Sequence, residues 1–306
     1  MILLDSTTKD LSPWISAFKE AVPSSEVVTW DEVTDYSKID IAVVWNHRKE
    51  LFSSIPEVKL VASLGAGVDH IINDPLLPPN TPVSKVVSPH LTTPMSNYCI
   101  GAILHYHKQF DKYWEDKKQK KWHQEFDPER PIKIGILGLG VLGSDLASKL
   151  NYLGFEVHGL SKTKKKLAGV ITYEGNEMDT FLSKVSLLVC MLPNTPDTAG
   201  IISKALISKL PKGSFLINVG RGKQQVDEDI LEALNNGHLA GAFLDVFPEE
   251  PLPSSSKLWT HPKVFITPHI AVVTKVEAAV PQIAENYFRL KQGKPLLNLI
   301  DRKKGY

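Results

Sequence analysis

Arg221, Glu250 and His269 are a guanidinium, a carboxylate and an imidazole, and each follows a short apolar run. The runs end as Asn218-Val219-Gly220-Arg221-Gly222, as Leu244-Asp245-Val246-Phe247-Pro248-Glu249-Glu250-Pro251, and as Ile266-Thr267-Pro268-His269. Read as parallel strands, they bring all three groups to the carboxyl edge of a sheet, where open α/β sheets bind ligands. A planar guanidinium fork fits a carboxylate, and a histidine is the commonest proton donor in catalysis. Together the three are the parts needed to hold a 2-keto acid and protonate its carbonyl. Singly, each has a plainer reading: Arg221 as a helix-capping salt bridge, Glu250 as a surface acid, His269 as a turn residue.

A second constellation points to a nucleotide. The run Ile132 to Leu137 leads directly into Gly138-Leu139-Gly140-Val141-Leu142-Gly143, and a helical pattern starts at Ser144. In a strand-to-helix turn of this kind Gly138 makes the tight turn, Gly140 lets a pyrophosphate reach the backbone, and Gly143 lets helix pack on strand. The helix start then presents unpaired N–H groups and a partial positive charge to the phosphates. About 20 residues on, NAD sites usually carry an acid for the ribose 2′-hydroxyl. Here Leu160 is followed by Ser161-Lys162-Thr163-Lys164. Hydroxyls and a lysine suit a 2′-phosphate, so NADP(H) is expected as the preferred cofactor, with NAD(H) used less efficiently. A solvated basic loop is the alternative.

These motifs need elements to position them. Short β-rich apolar runs alternate with helical patterns, which predicts an α/β fold with mainly parallel strands. Strands are expected at Ile2 to Asp5, Val27 to Trp30, Ile39 to Trp45, Val58 to Ser63 and Val83 to Val87. A second series covers Ile132 to Leu137, Phe155 to Leu160, Ser186 to Leu192, Ser214 to Val219, Ala240 to Val246 and Val264 to Thr267. Between the two series runs one long helical stretch, Thr92 to Lys121. The breaker segment Asp127-Pro128-Glu129-Arg130-Pro131 then marks a structural joint. A last helical pattern, Val272 to Gln292, follows the second series.

Composition narrows the classes. With 306 residues, 42% of them hydrophobic, the chain can fill two domain cores, which excludes a disordered protein. Lys and Arg number 35 against 34 Asp and Glu, so no bulk charge draws the chain to nucleic acid or membrane. Neither partner is expected, nor is a metal. Cys99 and Cys190 are the only cysteines and both lie in apolar runs, which fits a reducing compartment. Asp5 interrupts the first apolar run before a signal-peptide core can form, and no stretch reaches the ~20 apolar residues of a membrane span. A cytoplasmic location is expected.

The sequence resembles the D-isomer-specific 2-hydroxyacid dehydrogenases, and within them the glyoxylate/hydroxypyruvate reductase A group. The resemblance rests on Leu64-Gly-Ala-Gly-Val-Asp69, the Gly138 to Gly143 loop, Leu192-Pro193-Asn194-Thr195-Pro196, Asn218 to Gly222, Asp245 to Pro251 and Thr267-Pro-His269. It extends from the Asp40 to Trp45 strand to the closing Arg302-Lys-Lys-Gly-Tyr306. It implies two Rossmann-like domains, one flavodoxin-like and one dinucleotide-binding, with an interdomain active-site cleft. Residues 1–98 and 270–306 would form the substrate domain, with the dinucleotide domain, 99–269, inserted between. Arg221 would hold the substrate carboxylate and carbonyl, His269 would be the acid/base, and Glu250 would pair with His269. Asp245 would bind the nicotinamide carboxamide, Leu192 and Pro193 would line the cofactor cleft, and Val219 and Gly220 would join the cofactor set. The backbone N–H groups of Ala66 and Gly67 would bind the substrate, with Trp45 beside it or else serving as a core aromatic. A homodimer through the dinucleotide domain is also implied. Many members carry a Glu near Asn97, and this chain does not. Other readings are a different D-2-hydroxyacid dehydrogenase or a dinucleotide-sensing binding protein.

Overall fold

Strands covered on both faces read as unbroken apolar runs, and the first five runs form such strands. They are β1 (Ile2–Ser6), β2 (Val27–Thr29), β3 (Ile41–Trp45), β4 (Leu60–Ser63) and β5 (Val83–Ser84). All pair in parallel, in the order β2-β1-β3-β4-β5, which is the flavodoxin-like order. Seven more strands make a second parallel sheet: β6 (Ile134–Leu137), β7 (Val157–Ser161), β8 (Ile171–Glu174), β9 (Leu187–Cys190), β10 (Ser214–Asn218), β11 (Leu239–Leu244) and β12 (Val264–Ile266). Their order is β12-β11-β10-β9-β6-β7-β8, the doubly wound dinucleotide-binding arrangement extended by one strand. The computed structural model describes residues 1–302 and Gly305. In the closing run that shares in the resemblance, Lys303, Lys304 and Tyr306 lie outside the described residues.

The chain divides into two compact units, Met1–Leu91 with Val273–Tyr306 and Thr92–Val272. The seams therefore fall at 91/92 and 272/273, where the resemblance implied 98/99 and 269/270. Packing sets the first seam: Met95 and Cys99 belong to the core that includes Ile134, Ile136 and Val189 of the second sheet. The expected joint near Asp127 to Pro131 is corrected, since that segment lies wholly inside the second unit. Arg130 fastens it there, donating to both oxygens of Asp111 and to the Tyr106 carbonyl. The last helix, Val276–Lys291, belongs to the first unit and packs on the helix Ser12–Ala21.

Side-chain alternation builds a core on each face of the second sheet. Ile136, Val189 and Ile217 enter one core, while their neighbours Leu137, Leu188 and Leu216 enter the other. Cys99 and Cys190 are buried in different cores and unbridged. Two elements differ from the sequence reading. The stretch from Thr92 is two helices, Pro89–His107 and Phe110–Lys118, broken where Gln109 turns left-handed with φ 57°. Strand β8 was not expected, because it is a partly exposed edge strand without a buried apolar run.

Candidate active site

In the second unit, β6 ends at Leu137 and the chain turns through Gly138 at φ +112°. A Cβ on Gly143 would meet the Gly138 carbonyl oxygen at 2.0 Å, so only glycine lets the helix Val141–Tyr152 start this close. A Cβ on Gly140, in contrast, would meet nothing within 4 Å. The loop thus leaves open space at the helix N-terminus, where a pyrophosphate needs it. The residues present fit a dinucleotide.

Beyond β7 the basic loop is arranged differently from the simplest reading of its sequence. Ser161 is buried and its hydroxyl donates to the Thr163 carbonyl at 2.8 Å, so its proton shapes the loop. Lys162 is exposed, with Asp197 at 3.8 Å. Thr163 and Lys164 are exposed as well. Lys165, which sequence reasoning passed over, donates to the Leu139 carbonyl in the glycine loop and is the lysine that joins the two ligand-facing loops.

Arg221 follows β10 and His269 follows β12. The ring nitrogen Nδ1 of His269 lies 2.7 Å from Oε2 of Glu250, and the other oxygen, Oε1, accepts the Phe247 N–H at 2.9 Å. Burial pushes the Glu250 pKa up, but the bonds from His269 and Phe247 and the nearby charge of Arg221 outweigh it and hold the acid below the usual carboxylate range. An ionised carboxylate only accepts, so Nδ1 carries the hydrogen and Nε2 is left to exchange a proton. Gly222 explains how the Arg221 loop reaches this segment: a Cβ there would lie 1.8 Å from the Phe247 carbonyl carbon. The structure brings the three expected catalytic residues together.

Other residues hold this group in place. His269 sits at φ 54°, a left-handed conformation rare for a side chain other than glycine. Its N–H donates to the Asp245 carbonyl at 2.8 Å. The Asp245 carboxylate, 1% exposed, accepts from Thr267 Oγ1, Ile270 N and Ala271 N at 2.6, 2.8 and 2.9 Å. That geometry makes Asp245 a clamp on the His269 turn. Tyr98 hydrogen-bonds Thr267 and extends the chain of hydroxyls. Gln224, fully buried, donates to the Leu192 and Pro193 carbonyls at 2.9 and 2.8 Å and accepts the Arg221 N–H at 3.0 Å. It thereby ties the Leu192-Pro193 turn to the loop of Val219 and Gly220. A glutamine outside any motif offered no sequence signal for this role.

In the first unit, Trp45 closes β3 and its ring lies against Gly65, where a Cβ would approach Cζ3 to 2.7 Å. The carbonyls of the Gly65 to Gly67 loop are engaged: Gly65 O accepts from Val86 N at 3.0 Å, and Gly67 O from Ser63 Oγ at 2.7 Å. The N–H groups of Ala66 and Gly67 have no acceptor among the described residues. Such a turn suits an anion. Among the described residues no cluster of His, Cys, Asp or Glu is placed to hold a metal, and no helix is long and apolar enough to cross a membrane.

Comparison with known proteins adds the chemistry of relatives. The family profile "D-isomer specific 2-hydroxyacid dehydrogenase, NAD binding domain" matches residues 100–271. The chain is 39% identical to the glyoxylate/hydroxypyruvate reductase A of Escherichia fergusonii, across 100% of this chain and 99% of that protein. A D-isomer specific 2-hydroxyacid dehydrogenase from Xanthobacter autotrophicus Py2, solved with NADPH and MES, superposes with a TM-score of 0.94 at 34% identity. An NADPH-dependent glyoxylate/hydroxypyruvate reductase from Sinorhizobium meliloti, solved with NADP and sulfate, superposes with a TM-score of 0.93 at 39% identity. Each match covers 100% of this chain and 99% of the other.

Proposed function

Since the chain belongs to the D-isomer-specific 2-hydroxyacid dehydrogenase family, we propose that it reduces glyoxylate to glycolate and hydroxypyruvate to glycerate with NADPH, with His269 as proton donor. The observation that carries this reading is the 2.7 Å pair of His269 and Glu250, with the charge of Arg221 acting on the same acid. Bound NADPH supplies the hydride that adds to the keto carbon. Arg221 holds the substrate carboxylate and opposes the negative charge that grows on the carbonyl oxygen. His269 gives its Nε2 proton to that oxygen, and Glu250, bound to Nδ1–H, offsets the charge of the protonated ring before transfer. The Ala66 and Gly67 N–H groups take the carboxylate, and Trp45 keeps the pocket to two- and three-carbon acids.

A preference for NADPH is supported by the missing acid after Leu160, by the lysines of the loop and by the nucleotides bound to both relatives. The test is a panel of 2-keto acids with each nucleotide, followed by absorbance of the reduced nicotinamide. Glyoxylate and hydroxypyruvate are expected to turn over, with NADPH favoured by about tenfold or more in kcat/KM, equivalent to ~1.4 kcal/mol. Binding of NADPH without turnover of any keto acid would instead identify a sensor. The same reading makes the protein a cytoplasmic homodimer joined through its second unit, and a secreted pool on cell fractionation would contradict the location.

A further inference from the structure

Lys9 lies in the loop that leaves β1, and Trp45 ends β3, the strand beside it. In the order β2-β1-β3-β4-β5 the winding reverses between β1 and β3. Open parallel sheets hold ligands beyond their carboxyl ends at this point. Lys9 Nζ stands over the Trp45 ring, 5.2 Å from its centroid, in contact favourable for a cation on an aromatic face. The side chain is half-buried, and burial draws its pKa below the usual lysine value. No carboxylate pairs with it among the described residues. The acids nearest in sequence are committed elsewhere: Asp5 accepts from Arg48 Nε and N at 2.8 and 2.9 Å, and Asp10 accepts the Ser12 N–H at 2.9 Å.

A half-buried cation without a counter-ion is a cost to the fold. The same Trp45 ring lies against Gly65, and the Ala66 and Gly67 N–H groups that follow also want an anion; the reading above gives them the reacting carboxylate. That leaves the ammonium with the Trp45 ring as a partner but no anion, and without a role in the reduction of glyoxylate, which has no second polar end. We propose that Lys9 is a distal anion subsite, and that the chain accordingly reduces small 2-keto acids bearing a second carboxylate. Ketomalonate is the simplest such acid, with a carboxylate where hydroxypyruvate has its hydroxymethyl group, so the tight pocket at Trp45 need not widen. The reaction is unchanged: hydride adds to the keto carbon, the oxygen takes the proton from His269, and no carbon–carbon bond breaks. The inference rests on the function proposed above.

The experiment measures kcat/KM with NADPH for ketomalonate, hydroxypyruvate and glyoxylate, in wild type, Lys9→Met and Lys9→Arg. Hydration of each carbonyl is common to all three proteins and cancels. Wild type is expected to reduce ketomalonate, and Lys9→Met to lose at least about tenfold more on ketomalonate than on glyoxylate, the loss expected for one charge-assisted bond. Lys9→Arg keeps the charge and should retain most of the ketomalonate activity. A wild type active on glyoxylate yet inactive on ketomalonate overturns the subsite alone, as does a Lys9→Met protein weakened equally on all three acids. A wild type inactive on all three overturns the parent function, and the subsite with it.

Discussion

Removing the imidazole of His269 deletes the proposed proton donor and leaves the glycine loop untouched. His269→Ala should therefore lower kcat by ~10²–10⁴-fold, the usual worth of a general acid, while the Kd for NADPH stays within a few-fold of wild type. Glu250→Gln keeps an acceptor for Nδ1–H but not the charge, so its loss should be smaller than that of His269→Ala. Near wild-type turnover of glyoxylate by His269→Ala would remove His269 from the mechanism. At this scale the three proposed catalytic residues were legible because each lies in the loop that follows a strand, and strand ends can be read from apolar runs. Gln224, Lys165 and Lys9 were not, because their roles depend on how loops fold back, which no periodicity encodes. Ser161 shows the converse: its type suits a phosphate, but its proton is already given to the Thr163 carbonyl.

Elements are held as much by single charges as by apolar faces. Asp40, just before β3, receives Lys291 from the last helix at 2.7 Å, Lys59 from the approach to β4 at 2.7 Å, and the Met1 ammonium at 3.0 Å. Burial pushes its pKa up, but the three cations outweigh burial and hold it far below the usual carboxylate range. A depressed folded-state pKa means stability that is present above the unfolded value of ~3.9 and lost as pH falls toward the folded value. Asp40→Asn should therefore cost about 2 kcal/mol at pH 7 in denaturant unfolding, and the gap from wild type should narrow below about pH 4. A gap that stayed constant from pH 7 to pH 3 would refute the cluster's role. Strand identities were legible at this scale, except for β8. Edge strands meet solvent, and their apolar signal fades accordingly. The break at Gln109 was hidden as well, since a left-handed residue other than glycine leaves no mark in composition.

For the whole molecule, assembly is the open physical question. The second unit carries Trp114, Trp122 and Phe126 on its surface, the last two fully exposed. Aromatic side chains left in water by a single chain are candidates for burial against a second copy. Sedimentation velocity should give a dimer, and Trp122→Ser with Phe126→Ser should shift it toward monomer without altering the far-ultraviolet circular dichroism. A wild type that sediments as monomer at micromolar concentration would end the homodimer reading. The insertion of one unit within the other was legible only through the family resemblance, because nothing local says that the last helix returns to the first sheet.

That return has a consequence for the order of events on the ribosome. The second unit is continuous, Thr92–Val272, whereas the first is completed only by Val273–Tyr306. Gln282 of the last helix accepts the Val87 N–H at 3.1 Å, and Leu299 bridges Ser84 of β5. Neither contact can form while the tail is still being made. Domains generally fold as units during synthesis, the earlier-made one first. Here the amino-terminal segment emerges first and waits, while the later-made unit has all its strands in hand before the tail appears. The apolar surface that the last helix and Ile300 cover stays open through that interval, so a stalled or truncated chain ending near residue 272 should engage chaperones through its oldest segment.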